Sequence, residues 1–286
     1  MYYDDEGALY VTDSSGDSQK APLQFANPSH RILRLVDQDG DGVFDESTVF
    51  AEKVPFPEGI LVYEGDVYVG APPHIWKFSD TDGDHVADER SSWFNGGTIE
   101  GCGNDMHGPY LGPDGYFYWT KGYYQEQSFL LGNGKMHQSR APHVFRARPD
   151  GSELEVVMTG GMNNPVGLTF SETGERFLSG TFFVLPATHP GLRDGILHAV
   201  YVGMYGRKNP SALSGHPRTG DFLPVMAHTG AAAPSGVMMA RNSASGLKGD
   251  LLCADFNLRK ISRYKLSRSG SSFFWRAIKR IFIRPI

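Results

Sequence analysis

Cysteine is almost missing from this chain: Cys102 and Cys253 are the only two in 286 residues. Two thiols are too few for a disulfide scaffold, and neither sits in the C-x-x-C-H pattern of attached haem. Their spacing leaves open whether they pair with each other. Long apolar runs are missing as well, so no helical membrane span is read anywhere. A basic surplus is absent, the formal charge being −5, which removes the electrostatic footprint of a nucleic-acid binder. There is no G-x-S-x-G elbow, no P-loop and no H-E-x-x-H helix, so the hydrolase, NTPase and zinc-protease chemistries that announce themselves by local motif are excluded. His137, His143, His189, His198, His216 and His228 are scattered, with no pair at helical ligand spacing. The opening MYYDDEGALYV has neither a basic n-region nor an apolar h-region, so no signal peptide is read there.

What is present is turn chemistry. The 35 glycines, 18 prolines and 12% aromatics, set among short alternating apolar runs, predict an all-β fold with many turns. Residues 37–46 read DQDGDGVFDE and return at residues 80–89 as DTDGDHVADE. Alternating segments precede and follow each copy, which makes each a β-hairpin with a carboxylate-rich turn. Carboxylates at loop positions 1, 3, 5 and 9 with a carbonyl at 7 suit a hard cation that takes six to eight oxygens. The first loop offers Asp37, Asp39, Asp41, Asp45 and the carbonyl of Val43; the second offers Asp80, Asp82, Asp84, Asp88 and the carbonyl of Val86. His85 replaces the glycine of the first loop, and position 12 is Thr48 or Ser91 where an EF-hand has Glu. Calcium is the expected ion, and without it the same segments would be solvated Asp–Gly turns. The carboxylates sit in turns and do not face each other across a cleft, so no glycosidase pair is indicated.

A second repeat sets the architecture. Pro-x-Gly followed by strand, turn and strand occurs at Pro57-Glu58-Gly59, Pro165-Val166-Gly167 and Pro234-Ser235-Gly236, with a degenerate copy at Met106-His107-Gly108. The spacing is that of a four-stranded propeller blade with loop insertions that lengthen along the chain. We read a β-propeller over residues 1–266, about five blades of a ring that is six-bladed when complete: 1–53, 54–97, 98–160, 161–230 and a last blade from 231 with three strands. Residues 267–286, ending SFFWRAIKRIFIRPI, read as a tail of open origin: a basic amphipathic membrane-surface helix, an arbitrary tail or an out-of-frame translation.

In a propeller the loop before each first strand lies at one mouth of the central channel. The residues between Pro and Gly then occupy equivalent places, Glu58, His107, Val166 and Ser235. His107 is the candidate catalytic group, a solvent-facing imidazole that Asp105 could orient. Asn104, Asn163 and Asn164 are expected at the same mouth, within reach of Lys121, Arg207, Lys208, Arg218, Arg241 or Arg259. A histidine satisfied inside a polar turn is the plain structural alternative.

GNDMHGPYLGPDGYFY resembles the H-x-G-x-L-x-x-G-P-D-G-x-L-Y segment of soluble quinoprotein glucose and sorbosone dehydrogenases, and MNNPVGLTFSETG resembles their R-N-P-x-G-L-A-F-x-x-x-G. The Asp-loop hairpins, HPRTGDFLPVMAHTGAAAPSG and GLKGDLLCADFNLRKISRYKL are similar to the propeller domain of the membrane-bound dehydrogenases of Planctomycetes and Verrucomicrobia. The resemblance implies export to the periplasm or cell surface, oxidation of a sugar or alcohol with pyrroloquinoline quinone and calcium, and a cytochrome c module as partner. By resemblance His107 is the general base and Asn163-Asn164 the cofactor-contacting pair. The family's arginine is Asn163 here, and the haem motif is absent from the chain. Two rival expectations remain: a non-catalytic propeller binding carbohydrate or protein, and an integrin-like calcium propeller.

Overall fold

The computed structural model describes residues 1–17, 19–97, 106–122, 126–182, 190–206, 213, 215–242, 246–277 and 281–282. The chain divides into two compact units, Met1–Leu111 and Gly112–Ile286. The boundary falls inside the third predicted blade.

The first unit holds two antiparallel meanders. One is β1 (Tyr2–Tyr3), β2 (Leu9–Asp13), β3 (His30–Val36) and β4 (Glu46–Val54), with a short helix α1 (Ala21–Ala26) between β2 and β3. The other is β5 (Gly59–Tyr63), β6 (Asp66–Ala71), β7 (His74–Ser79) and β8 (Glu89–Asn95). A ninth strand, β9 (Met106–Leu111), packs against β5 and β6. Both Asp-rich segments form the turns between third and fourth strands, in line with the alternation on either side of them.

Burial runs from inside to outside along each meander. In β6 all but the first residue is buried, whereas the first four residues of β8 are exposed. An inner strand covered on both faces reads as a continuous apolar run and an outer strand does not. Ile32, Phe50, Val54, Val67, Val69 and Phe78 close the core between the two sheets.

The second unit contains β10 (Phe117–Lys121), the hairpin β11 (Gln127–Leu130) and β12 (Met136–Ser139), then β13 (His143–Ala147) and β14 (Glu155–Gly161). After these come β15 (Asn164–Phe170), β16 (Arg176–Thr181), β17 (Asp194–His198), β18 (Gly203–Gly206) and β19 (Ala227–Gly230). The last group is β20 (Pro234–Met239), β21 (Asp250–Asp255), β22 (Lys260–Ser269), β23 (Ser272–Ala277) and β24 (Ile281–Phe282). The sheet orders are β10-β13-β14 with β18 added in parallel, β15-β16-β17-β19, and β20-β21-β22-β23 with β24 also on β22.

Two sequence expectations are corrected here. The insertion after β10, expected to be loop, contains the β11–β12 hairpin. Its Asn133-Gly134 turn is a strong local hairpin signal. Residues 272–277, assigned to a tail with a helical option, form the fourth strand of the last sheet. Phe273 and Trp275 alternate toward the core around Phe177, Leu251 and Cys253, while Phe274 is exposed. Trp275 Nε1 donates to the Met226 carbonyl at 2.6 Å.

Candidate functional site

The repeated Pro-x-Gly element has a common geometry in its two copies in the second unit. In β15 the register slips between Pro165 and Gly167, and in β20 between Pro234 and Gly236, so Val166 and Ser235 are extra residues of β-bulges. A bulge bends its strand and re-aims the side chain at that point. Ahead of β5, Glu58 N donates to the Gly70 carbonyl at 2.7 Å.

The glycine that follows permits close approach of successive first strands. A Cβ on Gly59 would stand 2.5 Å from Gly108 O, and one on Gly70 would also strike that carbonyl. In the second unit, a Cβ on Gly167 would meet Val237 N at 2.9 Å. At Gly59 and Gly167 a second backbone occupies the space a methyl would need, whereas a Cβ on Gly236 meets nothing within 4 Å.

This packing places His107 beside Glu58. His107 Nδ1 lies 3.5 Å from Glu58 Oε2, with the imidazole side chain 5% exposed and the carboxylate 27%. The solvent-facing position expected for His107 is therefore corrected: β9 is packed against β5 and β6, and the ring is buried. Glu58 also lines a cavity of about 330 Å³ with Thr12, Ser14, Asp17, Gln24, His30 and Phe56. His30 is buried, its Nδ1 accepting from Ser15 N at 3.1 Å and its Nε2 3.0 Å from Gln24 Oε1. No sequence motif marks His30. Its only signal is a position at the first residue of β3, close after α1.

Asp105 and Asn104, assigned to the same site from the sequence, lie outside the described residues, as do Cys102, Arg207 and Lys208. In the second unit Asn163 N donates to Thr181 O at 2.8 Å and Asn164 opens β15, both half-buried. Ser235 is exposed, its hydroxyl donating to Ala254 O at 3.3 Å. Lys121 is buried on β10, while Arg218, Arg241 and Arg259 are exposed.

The two Asp loops match in their bonding. Asp37 accepts from Gly40 N at 2.8 Å and Gly42 N at 2.9 Å; Asp80 accepts from Gly83 N and His85 N at the same two distances. Asp41 and Asp84 accept from Val43 N and Val86 N. Asp45 and Asp88 accept from the amides of Gln38 and Thr81. His85 adopts φ +66° where Gly42 has +88°, so the second loop keeps the conformation without the glycine. Carboxylate oxygens of Asp37, Asp39 and Asp45, and likewise of Asp80, Asp82 and Asp88, lie within 4.8 Å of one another. Asp41 and Asp84 stand outside these trios. Desolvation pushes the Asp80 carboxyl up, but amide hydrogen bonds from Gly83, His85 and Asp82 outweigh it and hold the group below the usual aspartate range.

A succession of small, mostly antiparallel sheets of about four strands, built from strands largely in chain order, defines a β-propeller. The chain belongs to the family described as Domain of unknown function (DUF7133), whose model matches residues 1–273. No curated protein matches its sequence. Among solved structures it is similar to a protein described as an oxidoreductase (glucose dehydrogenase) from Thermus thermophilus, at 18% identity and TM-score 0.63, covering 97% of this chain and 81% of that one. It is also similar to the PQQ-bound aldose sugar dehydrogenase of Streptomyces coelicolor, at 18% identity and TM-score 0.57, covering 95% and 85%. The holo PQQ domain of pyranose dehydrogenase from Coprinopsis cinerea is similar at 12% identity and TM-score 0.60, covering 98% and 78%. These identities carry the fold.

Proposed function

We propose that this propeller belongs to a quinoprotein-dehydrogenase-like oxidoreductase that oxidises a hydroxyl of a sugar or related compound. The observation that carries the proposal is the pairing of buried His107 with half-buried Glu58; Glu58 also lines a small cavity with the hydroxyls of Thr12 and Ser14, the Asp17 carboxylate and the His30 imidazole. Oxidising an alcohol to a carbonyl removes a proton from oxygen and a hydride from carbon. His107 takes the hydroxyl proton, and the Glu58 carboxylate stabilises the imidazolium that forms. Pyrroloquinoline quinone, when bound, would supply the hydride acceptor. Asn163 and Asn164 are the proposed contacts to it, and the neutral side chain at Asn163 provides no charge for an acidic quinone. The residues therefore fit the proton transfer better than they fit the holding of that cofactor.

The Asp loops are the proposed calcium sites. Three converging carboxylates in each loop supply hard oxygen donors, and their shared negative charge favours a cation. Placement in the periplasm or at the cell surface, kinship with the membrane-bound dehydrogenases of Planctomycetes and Verrucomicrobia, and partnership with a cytochrome c module belong to the same proposal. Among the described residues no helix is long and apolar enough to cross a membrane.

A second reading, a non-catalytic carbohydrate-binding propeller, is favoured by Asn163 and by a further cavity of about 650 Å³ in the first unit. Tyr2, Tyr3, Tyr10, Tyr63, Arg34 and Asp80 are among its walls. Arg34 Nε is buried there without a hydrogen-bond partner, and aromatic faces with charged groups suit a polyhydroxylated ligand. Reconstitution with quinone and calcium, followed by dye-linked assay of aldoses and by equilibrium binding of the same sugars, separates the two. Quinone uptake with turnover supports the oxidoreductase; sugar binding without quinone uptake supports the binding module.

A further inference from the structure

Three of the histidines that are scattered in the sequence converge in the second unit. His137 on β12, His143 on β13 and His216 in the segment after β18 bring their rings to centroid separations of 4.9 Å for the first two and 5.6 Å from each of these to the third. His137 Nε2 lies 3.2 Å from His143 Nε2. Ser139 Oγ sits 2.8 Å from both His143 Nε2 and His216 Nε2. His143 is 1% exposed and His137 and His216 are half-buried.

The positions follow from strand register. His137 and Ser139 are two apart on β12 and so share a face. His143 pairs directly with Thr159 on β14, which puts His143 Nδ1 3.0 Å from Thr159 Oγ1. That contact leaves Nε2 of His143 turned toward the other two rings. Burial, first of all, lowers the basicity of all three imidazoles. The neutral ring is the form with a lone pair to give.

We propose that His137, His143 and His216 form a site for a borderline transition-metal dication of the zinc class, which pins the β11–β12 hairpin and the segment carrying His216 onto β13. A tetrahedral ion with bonds of about 2.0–2.1 Å to nitrogen needs ligand atoms about 3.3 Å apart. The His137–His143 nitrogen pair meets that spacing. His216 Nε2 is held by the Ser139 hydroxyl at 2.8 Å and not against the pair, so its ring must turn to reach the ion, with Ser139 or water completing the set. Thr159 is the outer partner that fixes the His143 ring. In the metal-free protein the two Nε2 atoms stand at hydrogen-bond distance, with Ser139 Oγ also against His143 Nε2. Borderline ions suit imidazole, whereas the Asp loops offer oxygen alone and suit harder ones.

The test uses tag-free protein stripped with a chelator and titrated with Co²⁺, then with Zn²⁺ in competition. The expected result is one intense tetrahedral ligand-field spectrum per chain, displaced by zinc, distinct from the pale octahedral signal of carboxylate sites. The half-buried positions allow His137→Gln and His216→Gln to be tested with circular dichroism as a control for folding. Each is expected to weaken binding roughly tenfold or more, and Thr159→Val by about 10–100-fold. A wild-type protein that develops no tetrahedral signal, or variants that fold and bind cobalt as wild type does, would overturn the site and leave a proton-linked histidine network.

Discussion

His107 Nδ1 and Glu58 Oε2 stand 3.5 Å apart, linking β9 to the loop that leads into β5. If this pair transfers the hydroxyl proton, His107→Gln lowers kcat for aldose oxidation by about 10²–10⁴-fold, and Glu58→Gln gives a smaller loss with KM little changed. The glutamine variant is preferred because His107 is buried, so alanine would add a cavity to the lost chemistry. Steady-state kinetics on the quinone- and calcium-reconstituted protein decide it. Variants that retain wild-type kcat would remove His107 from the chemistry.

Gly59 has no positive φ, so its requirement is steric alone. Gly59→Ala drives a methyl to 2.5 Å from the Gly108 carbonyl, and the expected cost is about 1–3 kcal/mol or more from overpacking. Gly236→Ala meets nothing within 4 Å and is expected to change stability little. Denaturant unfolding of both variants checks the contrast; equal losses would show that the signature glycine serves another purpose.

The blades were legible because strand alternation, Asp–Gly turns and the Pro-x-Gly repeat are local, and each is written within a dozen residues. Pairings set by distant residues were not legible. His107 and Glu58 are far apart in sequence, and only the close approach of Gly59 and Gly108 brings them together. The burial of His107 depends on β5 and β6 covering β9, which no window around His107 contains. The cluster of His137, His143 and His216 escaped for the same reason, since its ligands come from two strands and a remote loop. Strand β23 is not legible because three adjacent aromatics, Phe273, Phe274 and Trp275, followed by a basic run from Arg276, hide the alternation of Phe273 and Trp275.

For the Asp loops, isothermal titration is expected to detect calcium at both. Asp39→Asn should remove the first site while Asp41→Asn weakens it less, because Asp39 belongs to the converging trio and Asp41 does not. An ion bound only by the folded protein stabilises it by mass action, about 2.7 kcal/mol at a hundredfold excess over Kd. A melting temperature indifferent to millimolar calcium would leave these segments as hydrogen-bonded turns.

Glu175 supplies an acid-sensitive contact in the second unit. Its Oε2 lies 2.8 Å from His198 Nε2, and Arg268 on β22 pairs with its other oxygen. His198 Nδ1 in turn is 3.2 Å from Ser272 Oγ, so the network reaches β23. Burial raises the Glu175 carboxyl, while the hydrogen bonds and charges of His198 and Arg268 outweigh it and set the group below its ordinary value of 4.5. A depressed folded value means that the unfolded chain binds the proton first as pH falls. The stabilisation is therefore full above about pH 4.5 and is lost as pH drops through the lower, folded value. Arg268 is more than half exposed, so solvent screening limits the contribution to on the order of 1 kcal/mol. Glu175→Gln is expected to cost that amount at about pH 7, and the gap from wild type should narrow as pH falls below the ordinary value, in urea unfolding followed by tryptophan fluorescence. A gap that persists unchanged at the lower pH would mean the carboxylate contributes by packing, with its charge irrelevant to how the last sheet is held.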